Sequence, residues 1–297
     1  MPADDAAAAA TTTTPGPVSV LWSTQFDLAS NLNDRTYHIC VFEPPLPPPD
    51  AGYPLLVVLD GNLTFPIAAA MAASYVFSGC PAVVVGVGYA ATPFELPLLR
   101  LRDLTPPTPP EGIPKRPGAP PLGPEHFGGA PEFYRFLTEE LRPTIAARYK
   151  IDPSREALFG YSLAGLFVLD TLFNHPGAYS RYIAASPSIW WNECAVLKHE
   201  RAFARAVETG AASPRVLITV GDREQTPGRL PPGMSLEDLE TQLIESRMVD
   251  NAWELGTRLE KLKGDGYHAR FHAFEDEDHL TGTAASVGRA LDFALRD

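Results

Sequence analysis

The sequence predicts an α/β fold in which a mostly parallel central sheet carries helices on both faces. Short segments such as residues 55–59 and 82–87 are apolar on both faces, which is typical of parallel strands covered by helices. Helical segments separate these strands in a regular βαβα order. No internal repeat is found in the sequence, which favours one layered sheet over a repeat architecture.

Each element follows from its local pattern. Alternating polar and apolar residues at 18–26 and 35–42 predict two paired strands at the start of the fold. Further strands are predicted at 55–59, 82–87, 157–160, 182–185, 215–220 and 268–274, and helices at 66–78, 131–149, 163–173, 236–262 and 284–295. Pro143 predicts a kink within the second of these helices.

Prolines are concentrated in two clusters. The chain has 297 residues, of which 31 are proline, about twice the average usage. The cluster at 44–49 predicts a stiff connection after an early strand. Nine prolines lie between Pro106 and Pro124, and we expect neither helix nor strand over residues 92–129. We therefore predict one domain over residues 18–297, with a proline-rich insertion at about 104–128.

Residues 1–17 predict a disordered tail. Asp4 and Asp5 stand where a signal peptide carries positive charge, and the alanines and threonines that follow form no apolar core segment. The expected location is cytoplasmic, with a periplasmic location left open. No membrane association is expected either, because no apolar run approaches the ~18 residues that a membrane span needs.

Charge and cysteine content argue against several classes of function. Lys plus Arg number 24 against 36 Asp plus Glu, so the net charge is −12. The sequence has no basic stripe, and nucleic-acid binding is therefore not expected. The three cysteines, Cys40, Cys80 and Cys194, are far apart, which argues against a disulfide framework and against a zinc site.

A strand-to-helix turn at residues 157–167 is the most informative motif. The predicted strand ends at Gly160, and a helix begins after Ser162. A G-x-S-x-G pattern in this setting is a nucleophile elbow, which exposes the serine hydroxyl above the sheet. Ala164 replaces the second glycine but is also small. We predict Ser162 as a nucleophile rather than a simple helix cap, and the Leu163 amide as a donor to an oxyanion.

A serine nucleophile needs a base, which histidine supplies most often. Four histidines follow the elbow at a suitable distance. His199 lies in a charged helical segment, and His268 and His272 lie within the last predicted strand. His279 follows that strand, in a loop that meets the elbow if the sheet is parallel. We predict His279 as the general base, the alternative being a solvated histidine among four acidic residues.

The acid is expected in the loop that follows the predicted strand 215–220. This loop contains Asp222 and Glu224, and a spacing of three residues after the loop glycine favours Glu224. Asp222, Asp276 and Asp278 stay open as alternatives, and so does a Ser–His pair that works without an acid.

A second oxyanion donor is expected after the first central strand. Gly61 and Asn62 follow residues 55–59, and either backbone amide is a candidate. The alternative is that this segment is only a turn.

Four large side chains are candidates for substrate binding at the same edge of the sheet. Two arginines, Arg100 and Arg102, precede the proline-rich segment and suit planar anions. Two tryptophans, Trp190 and Trp191, follow a predicted strand and suit stacking on aromatic rings. The alternative is that the arginines are solvated and the tryptophans only pack in the interior. The four residues are Arg100, Arg102, Trp190 and Trp191.

These motifs together resemble the putative-esterase superfamily, and specifically the ferric-siderophore esterases that act on enterobactin, salmochelin or bacillibactin. The matching segments are residues 59–62, 100–106, 160–167, 186–191 and 247–251, followed by His279. The ordered set extends over nearly all of residues 18–297. One departure is Ala164, where elbows of this family commonly have glycine.

The resemblance implies an α/β-hydrolase fold and hydrolysis of trilactone or related esters in iron-loaded siderophores. By position, it implies that Ser162 is the nucleophile, His279 the base and Arg100 the arginine that faces an anionic ligand. The prolines after Arg100 are then expected to shape substrate access.

The predicted function is that of a serine esterase working through an acyl-enzyme on a small ester, which the resemblance identifies as a siderophore. No metal and no organic cofactor is expected, because any iron belongs to the substrate. Two other functions stay open. One is a broader carboxylesterase or thioesterase, and the other is a non-catalytic ligand-binding homologue. The presence of both Ser162 and His279 argues against the latter.

Overall fold

An eight-stranded sheet organises the chain in a computed structural model that describes residues 18–92, 94–113, 122–228, 230 and 233–296. The strands are β1 (Ser23–Ala29), β2 (Thr36–Phe42), β3 (Tyr53–Leu59), β4 (Val83–Tyr89), β5 (Ile151–Tyr161), β6 (Arg181–Ala185), β7 (Arg215–Gly221) and β8 (His268–Phe274). Their spatial order is β1-β2-β4-β3-β5-β6-β7-β8. In this spatial order, all neighbouring strands from β4 through β3 to β8 pair in parallel. β2 is antiparallel to both of its neighbours, β1 and β4.

Helices cover both faces of the sheet. One face packs against α1 (Gly61–Phe77) and α10 (Gly282–Leu295). The opposite face packs against α2 (Leu96–Leu104), α3 (Ala130–Arg135), α4 (Arg142–Ala146), α5 (Leu163–Asn174), α7 (Glu200–Glu208) and α9 (Met248–Glu260). Two further segments are α6 (Trp191–Cys194) and α8 (Leu236–Ser246). The α/β architecture predicted from the sequence is confirmed.

The prediction that residues 92–129 contain no helix is wrong at α2. A proline lies in the first turn of this helix. A backbone N–H at this position would have no acceptor within the helix, so proline removes no helical hydrogen bond there. Leu101 and Leu104 are buried, and their packing stabilises the helix. Elsewhere in the described part of this segment, Pro110–Gly112 and Pro124–His126 form short 3₁₀ turns. The predicted tail 1–17 and residues 114–121 lie outside the described residues.

Two helices predicted as continuous are interrupted. Between α3 and α4 the chain forms a π-helical turn, Phe136–Leu141. Pro143 lies two residues after this turn and has no N–H to continue the α-helical pattern, which explains a widened turn just before the predicted kink. The second interruption divides α8 from α9 at Arg247, whose φ is 42°. Within the described ranges, no helix is long and apolar enough to cross a membrane.

A buried carboxylate joins α2 to the sheet. Asp103, on α2, is 2 % exposed. Its Oδ2 accepts a hydrogen bond of 3.0 Å from the Tyr37 hydroxyl of β2, and its Oδ1 lies 3.3 Å from Arg35 Nη1. Burial raises the pKa of the Asp103 carboxyl to about 6, outweighing the opposite effect of Arg35 and of the hydrogen bond from Tyr37. Because α2 also carries Arg100, this contact fixes a segment beside the candidate site.

We expect Asp103 to make stability depend on pH between about 4 and 6. The folded chain keeps this proton up to about pH 6, whereas the unfolded chain releases it near pH 4. The contribution of Asp103 to the free energy of unfolding therefore falls as the pH rises through this window, by about 3 kcal/mol in total.

Urea unfolding of the wild type and of Asp103→Asn at about pH 4 and about pH 7.5 measures this contribution. The wild type should lose stability relative to the variant at the higher pH. A difference between the two proteins that does not change with pH would contradict the raised pKa.

Candidate active site

Five turns meet at one edge of the sheet. They follow the carboxyl ends of the parallel strands β3, β5, β6, β7 and β8. Because parallel strands end at the same edge, this arrangement brings together residues that are far apart in the sequence. The predicted nucleophile, base, acid and oxyanion donors all lie in these turns or at the start of the helices that follow them.

The turn after β5 holds Ser162 in a strained conformation. Its φ of 61° and ψ of −118° are unusual for a residue other than glycine. Gly160 allows the turn to close, because a Cβ at this position would collide with the carbonyl oxygen of Ala164. Ala164 is fully buried in this turn. The alanine found in place of the second glycine is therefore compatible with an elbow.

Ser162, His279 and Glu224 form a continuous hydrogen-bonded chain. His279 Nε2 lies 3.0 Å from Ser162 Oγ, and His279 Nδ1 lies 2.6 Å from Glu224 Oε2. A carboxylate at Nδ1 favours the tautomer with its proton on Nδ1, which leaves the Nε2 lone pair facing the serine hydroxyl. The three residues predicted as nucleophile, base and acid thus meet with the polarity that acyl transfer requires.

The other candidate acids make different contacts. Asp278 Oδ1 accepts hydrogen bonds from the amides of Leu280 and Thr281, and these bonds lower the pKa of its carboxyl. Asp276 forms an exposed ion pair of 3.7 Å with Arg223. Asp222 is exposed to solvent. Glu224, in contrast, is buried and bonded to the histidine.

Two serines after β6 contact the ends of this chain. Ser186 Oγ donates a hydrogen bond of 2.5 Å to Glu224 Oε1. Ser188 Oγ lies 3.4 Å from Ser162 Oγ, and its amide donates to the Ser162 carbonyl oxygen at 3.1 Å. Neither serine was predicted from the sequence to be part of the site. Their position directly after a predicted parallel strand is the feature of the sequence that could have identified them.

The candidate oxyanion donors begin two neighbouring helices. Leu163 is the first residue of α5, and Gly61 and Asn62 are the first two residues of α1. Amides in the first turn of a helix have no acceptor within that helix. β3 pairs with β5 so that Val58 lies opposite Phe159, which places the two turns side by side.

The side chain of Asn62 is engaged by β4. Its Nδ2 donates to the Tyr89 carbonyl oxygen at 3.0 Å, and its Oδ1 accepts from the Tyr89 amide at 2.8 Å. This pair of bonds fixes the start of α1 against the sheet. The backbone amide of Asn62, rather than its side chain, is therefore the group to consider as an oxyanion donor.

Both predicted substrate-binding arginines contact acidic groups of the protein. Arg100 Nε and Nη2 donate to the two carboxylate oxygens of Asp60 at 2.9 and 2.7 Å. Arg102 donates to the Phe127 carbonyl oxygen, and its Nη2 lies 3.6 Å from Glu132 Oε2. Arg100 thus links α2 to the turn after β3, and Arg102 links α2 to the end of the proline-rich segment.

The two tryptophans differ in exposure. Trp191 is buried, and its Nε1 donates to Thr108 Oγ1 at 2.9 Å. Its ring lies 5.5 Å from that of Phe127, so it packs beneath the proline-rich segment. Trp190 is half-buried, with its Nε1 3.2 Å from Met248 Sδ.

A cavity of about 700 Å³ lies beside the proline-rich segment. Its walls include three of the prolines, Trp191 and one side of α5. Ser162, His279 and Glu224 do not line it. Pro106, Pro107 and Pro109 therefore border a space along α5 that none of the three hydrogen-bonded residues lines.

Comparisons with known proteins give consistent results. The family described as "Putative esterase" matches residues 120–256. The chain is 39 % identical to ferri-bacillibactin esterase BesA of Bacillus subtilis, over 90 % of this chain and 88 % of the relative. It is 33 % identical to the siderophore triacetylfusarinine C esterase of Aspergillus fumigatus, over 82 % of each protein. The solved structure of the BES protein from Bacillus cereus is 30 % identical, with a TM-score of 0.82 over 96 % of this chain and 100 % of that chain.

Proposed function

Because the chain belongs to the siderophore esterases of the "Putative esterase" family, we propose that it hydrolyses ester bonds of siderophores. These esterases are serine hydrolases of the α/β-hydrolase fold, and we propose Ser162 as the nucleophile of this chain. The observation that carries the assignment of residues is the chain of hydrogen bonds from Ser162 through His279 to Glu224.

The first step is attack on the ester carbonyl. Ser162 Oγ forms a bond to the carbonyl carbon while His279 Nε2 accepts the hydroxyl proton. Glu224 holds the imidazole through Nδ1 and stabilises the positive charge that develops on the ring. His279 then gives the proton to the leaving alkoxide as the ester C–O bond breaks, which leaves an acyl group on Ser162.

The second step returns the enzyme to its starting state. His279 accepts a proton from the water that attacks the acyl carbonyl. It returns this proton to Ser162 Oγ as the bond between the acyl carbon and Oγ breaks, which releases a carboxylic acid and the free serine. The negative oxygen that forms in each step is stabilised by the Leu163 amide and by the amide of Gly61 or Asn62. One such donor is typically worth about 3 kcal/mol.

The names of the relatives support the choice of substrate. One relative is called a ferri-bacillibactin esterase, and another is a triacetylfusarinine C esterase. We propose that the partner of this chain is likewise a small siderophore that contains ester bonds, with any iron carried by that substrate.

A substrate panel tests this proposal. We expect kcat/KM to be at least about tenfold higher for ester siderophores than for short p-nitrophenyl esters, because binding energy from the rest of the siderophore contributes to its turnover. The panel contains a catecholate trilactone and a hydroxamate ester siderophore, each with and without iron, a p-nitrophenyl ester and a small thioester.

The controls separate substrate preference from background hydrolysis. Ser162→Ala enzyme measured on every substrate gives the turnover that does not depend on the serine nucleophile, and buffer without enzyme gives the uncatalysed rate. A preference for the p-nitrophenyl ester or for the thioester would contradict the siderophore assignment and favour a broader carboxylesterase or thioesterase.

A further inference from the structure

Ser186 occupies a strained position directly after β6. Its φ is 41°, a value that is uncommon for any residue other than glycine. The residue is fully buried, and its amide donates a hydrogen bond of 2.7 Å to the Thr219 carbonyl oxygen of β7. Backbone strain of this kind is maintained only where the surroundings hold the residue in place. The position of the Ser186 hydroxyl is therefore well determined.

That hydroxyl belongs to the immediate surroundings of the acid. Glu224 Oε1 accepts hydrogen bonds from Ser186 Oγ at 2.5 Å and from the Gly221 amide at 2.8 Å. Glu224 Oε2 lies 2.6 Å from His279 Nδ1. The two carboxylate oxygens thus have separate tasks, because donors on Oε1 prevent the group from rotating while Oε2 faces the histidine.

The segment that carries Ser186 also rests on the helix of the nucleophile. A Cβ at Gly165 of α5 would lie 2.7 Å from the Ala185 carbonyl oxygen and 3.0 Å from Pro187 Cα. Glycine at this position therefore permits direct contact between α5 and the segment after β6. One short stretch of chain touches both the acid and the helix that begins at Ser162.

We propose that Ser186 is a positioning residue for the reaction, which acts by holding the Glu224 carboxylate in the orientation that His279 needs. This inference rests on the proposed function, in which Glu224 is the acid. A hydrogen bond to an ionised group contributes more than one between neutral groups, and it fixes orientation as well. Without the Ser186 hydroxyl, the carboxylate keeps its bond from Gly221 but loses its second restraint on Oε1.

Ser186→Gly tests this role with a variant that should fold. Glycine accepts a positive φ without strain, so the backbone conformation is favoured while the hydroxyl is lost. We expect kcat for p-nitrophenyl ester hydrolysis to fall about 10- to 100-fold. KM should stay within about twofold, because Ser186 is fully buried. The midpoint of thermal unfolding should stay close to that of the wild type, and Ser186→Ala should show the same loss of kcat.

Ser286→Ala is the matched control. Ser286 is another buried serine, and its hydroxyl lies 3.3 Å from Thr219 Oγ1 rather than next to Glu224. We expect this variant to keep the wild-type kcat. A loss of kcat equal to that of Ser186→Gly would show that any buried hydroxyl in this region matters, and it would overturn the proposal.

A double-mutant cycle shows whether Ser186 acts through Glu224. In the Glu224→Ala background, Ser186→Gly should change kcat by less than about twofold, because the group that it positions is already absent. The same loss in both backgrounds would overturn the proposal, and so would an unchanged kcat in the single variant.

The same measurements keep this inference separate from the proposed function. Turnover retained by Ser162→Ala would contradict the function itself. If Ser162→Ala and Glu224→Ala lose turnover and Ser186→Gly does not, only the positioning role fails.

Discussion

Ser162→Ala is expected to lower kcat for ester hydrolysis by about 10⁴- to 10⁶-fold. The serine oxygen is the atom that becomes acylated, and alanine leaves only the oxyanion donors and substrate binding to assist attack by water. The fold should be retained, because alanine fills the same small space in the turn. The measurement is steady-state turnover of a p-nitrophenyl ester, together with labelling by a fluorophosphonate and the intact mass of the product.

The neighbouring serine provides the control for this prediction. Ser188 Oγ lies 3.4 Å from Ser162 Oγ, so a reactive probe reaching one oxygen comes close to the other. Ser188→Ala should still form the phosphonate adduct, and Ser162→Ala should not. An adduct that forms on Ser162→Ala, or turnover within about tenfold of the wild type, would show that Ser162 is not the nucleophile.

Glu224→Gln is expected to lower kcat by about 10³- to 10⁴-fold. Glutamine keeps the size of the side chain but removes the negative charge, and its amide group can donate to His279 Nδ1. That bond favours the wrong imidazole tautomer, in which Nε2 carries the proton and cannot accept one from Ser162. The measurement is the turnover of the same ester, with circular dichroism to establish that the variant is folded.

Asp222→Asn is the matched comparison, since it removes a carboxylate from the same loop. Asp222 is exposed, and we expect kcat to change by less than about twofold. If Glu224→Gln lost less than about tenfold, the reaction would depend on Ser162 and His279 alone. A large loss in Asp222→Asn would instead make Asp222 the acid.

The strands and the elbow were predictable because their signals are local. A parallel strand covered on both faces is apolar at every position, as residues 55–59 are, and this pattern needs no knowledge of the rest of the chain. The elbow needs small residues at fixed positions around Ser162, because its turn is too tight for larger ones. Parallel order then indicated which loops meet at the same edge.

The segment before the prolines shows where local signals misled. Proline density predicted no helix over residues 92–129, yet α2 forms at Leu96–Leu104. The helix depends on burial of Leu101 and Leu104 and on the contact of Asp103 with Tyr37 of β2. Tyr37 and Asp103 are 66 residues apart in the sequence. Contacts of that range are absent from a local pattern.

The sequence by itself determined the parallel α/β order, the nucleophile elbow at Ser162 and a small set of candidate bases and acids, since each depends on neighbouring residues or on chain order. Only the tertiary structure decided which carboxylate faces His279, because the four candidates differ in burial and direction rather than in sequence spacing. It also decided that Arg100 pairs with Asp60 and that Ser186 bonds to Glu224. The physical reason is that a hydrogen bond requires a donor–acceptor distance near 3 Å and a defined direction. Here these conditions are met between residues that follow separate strands, and only the folded chain brings such residues together.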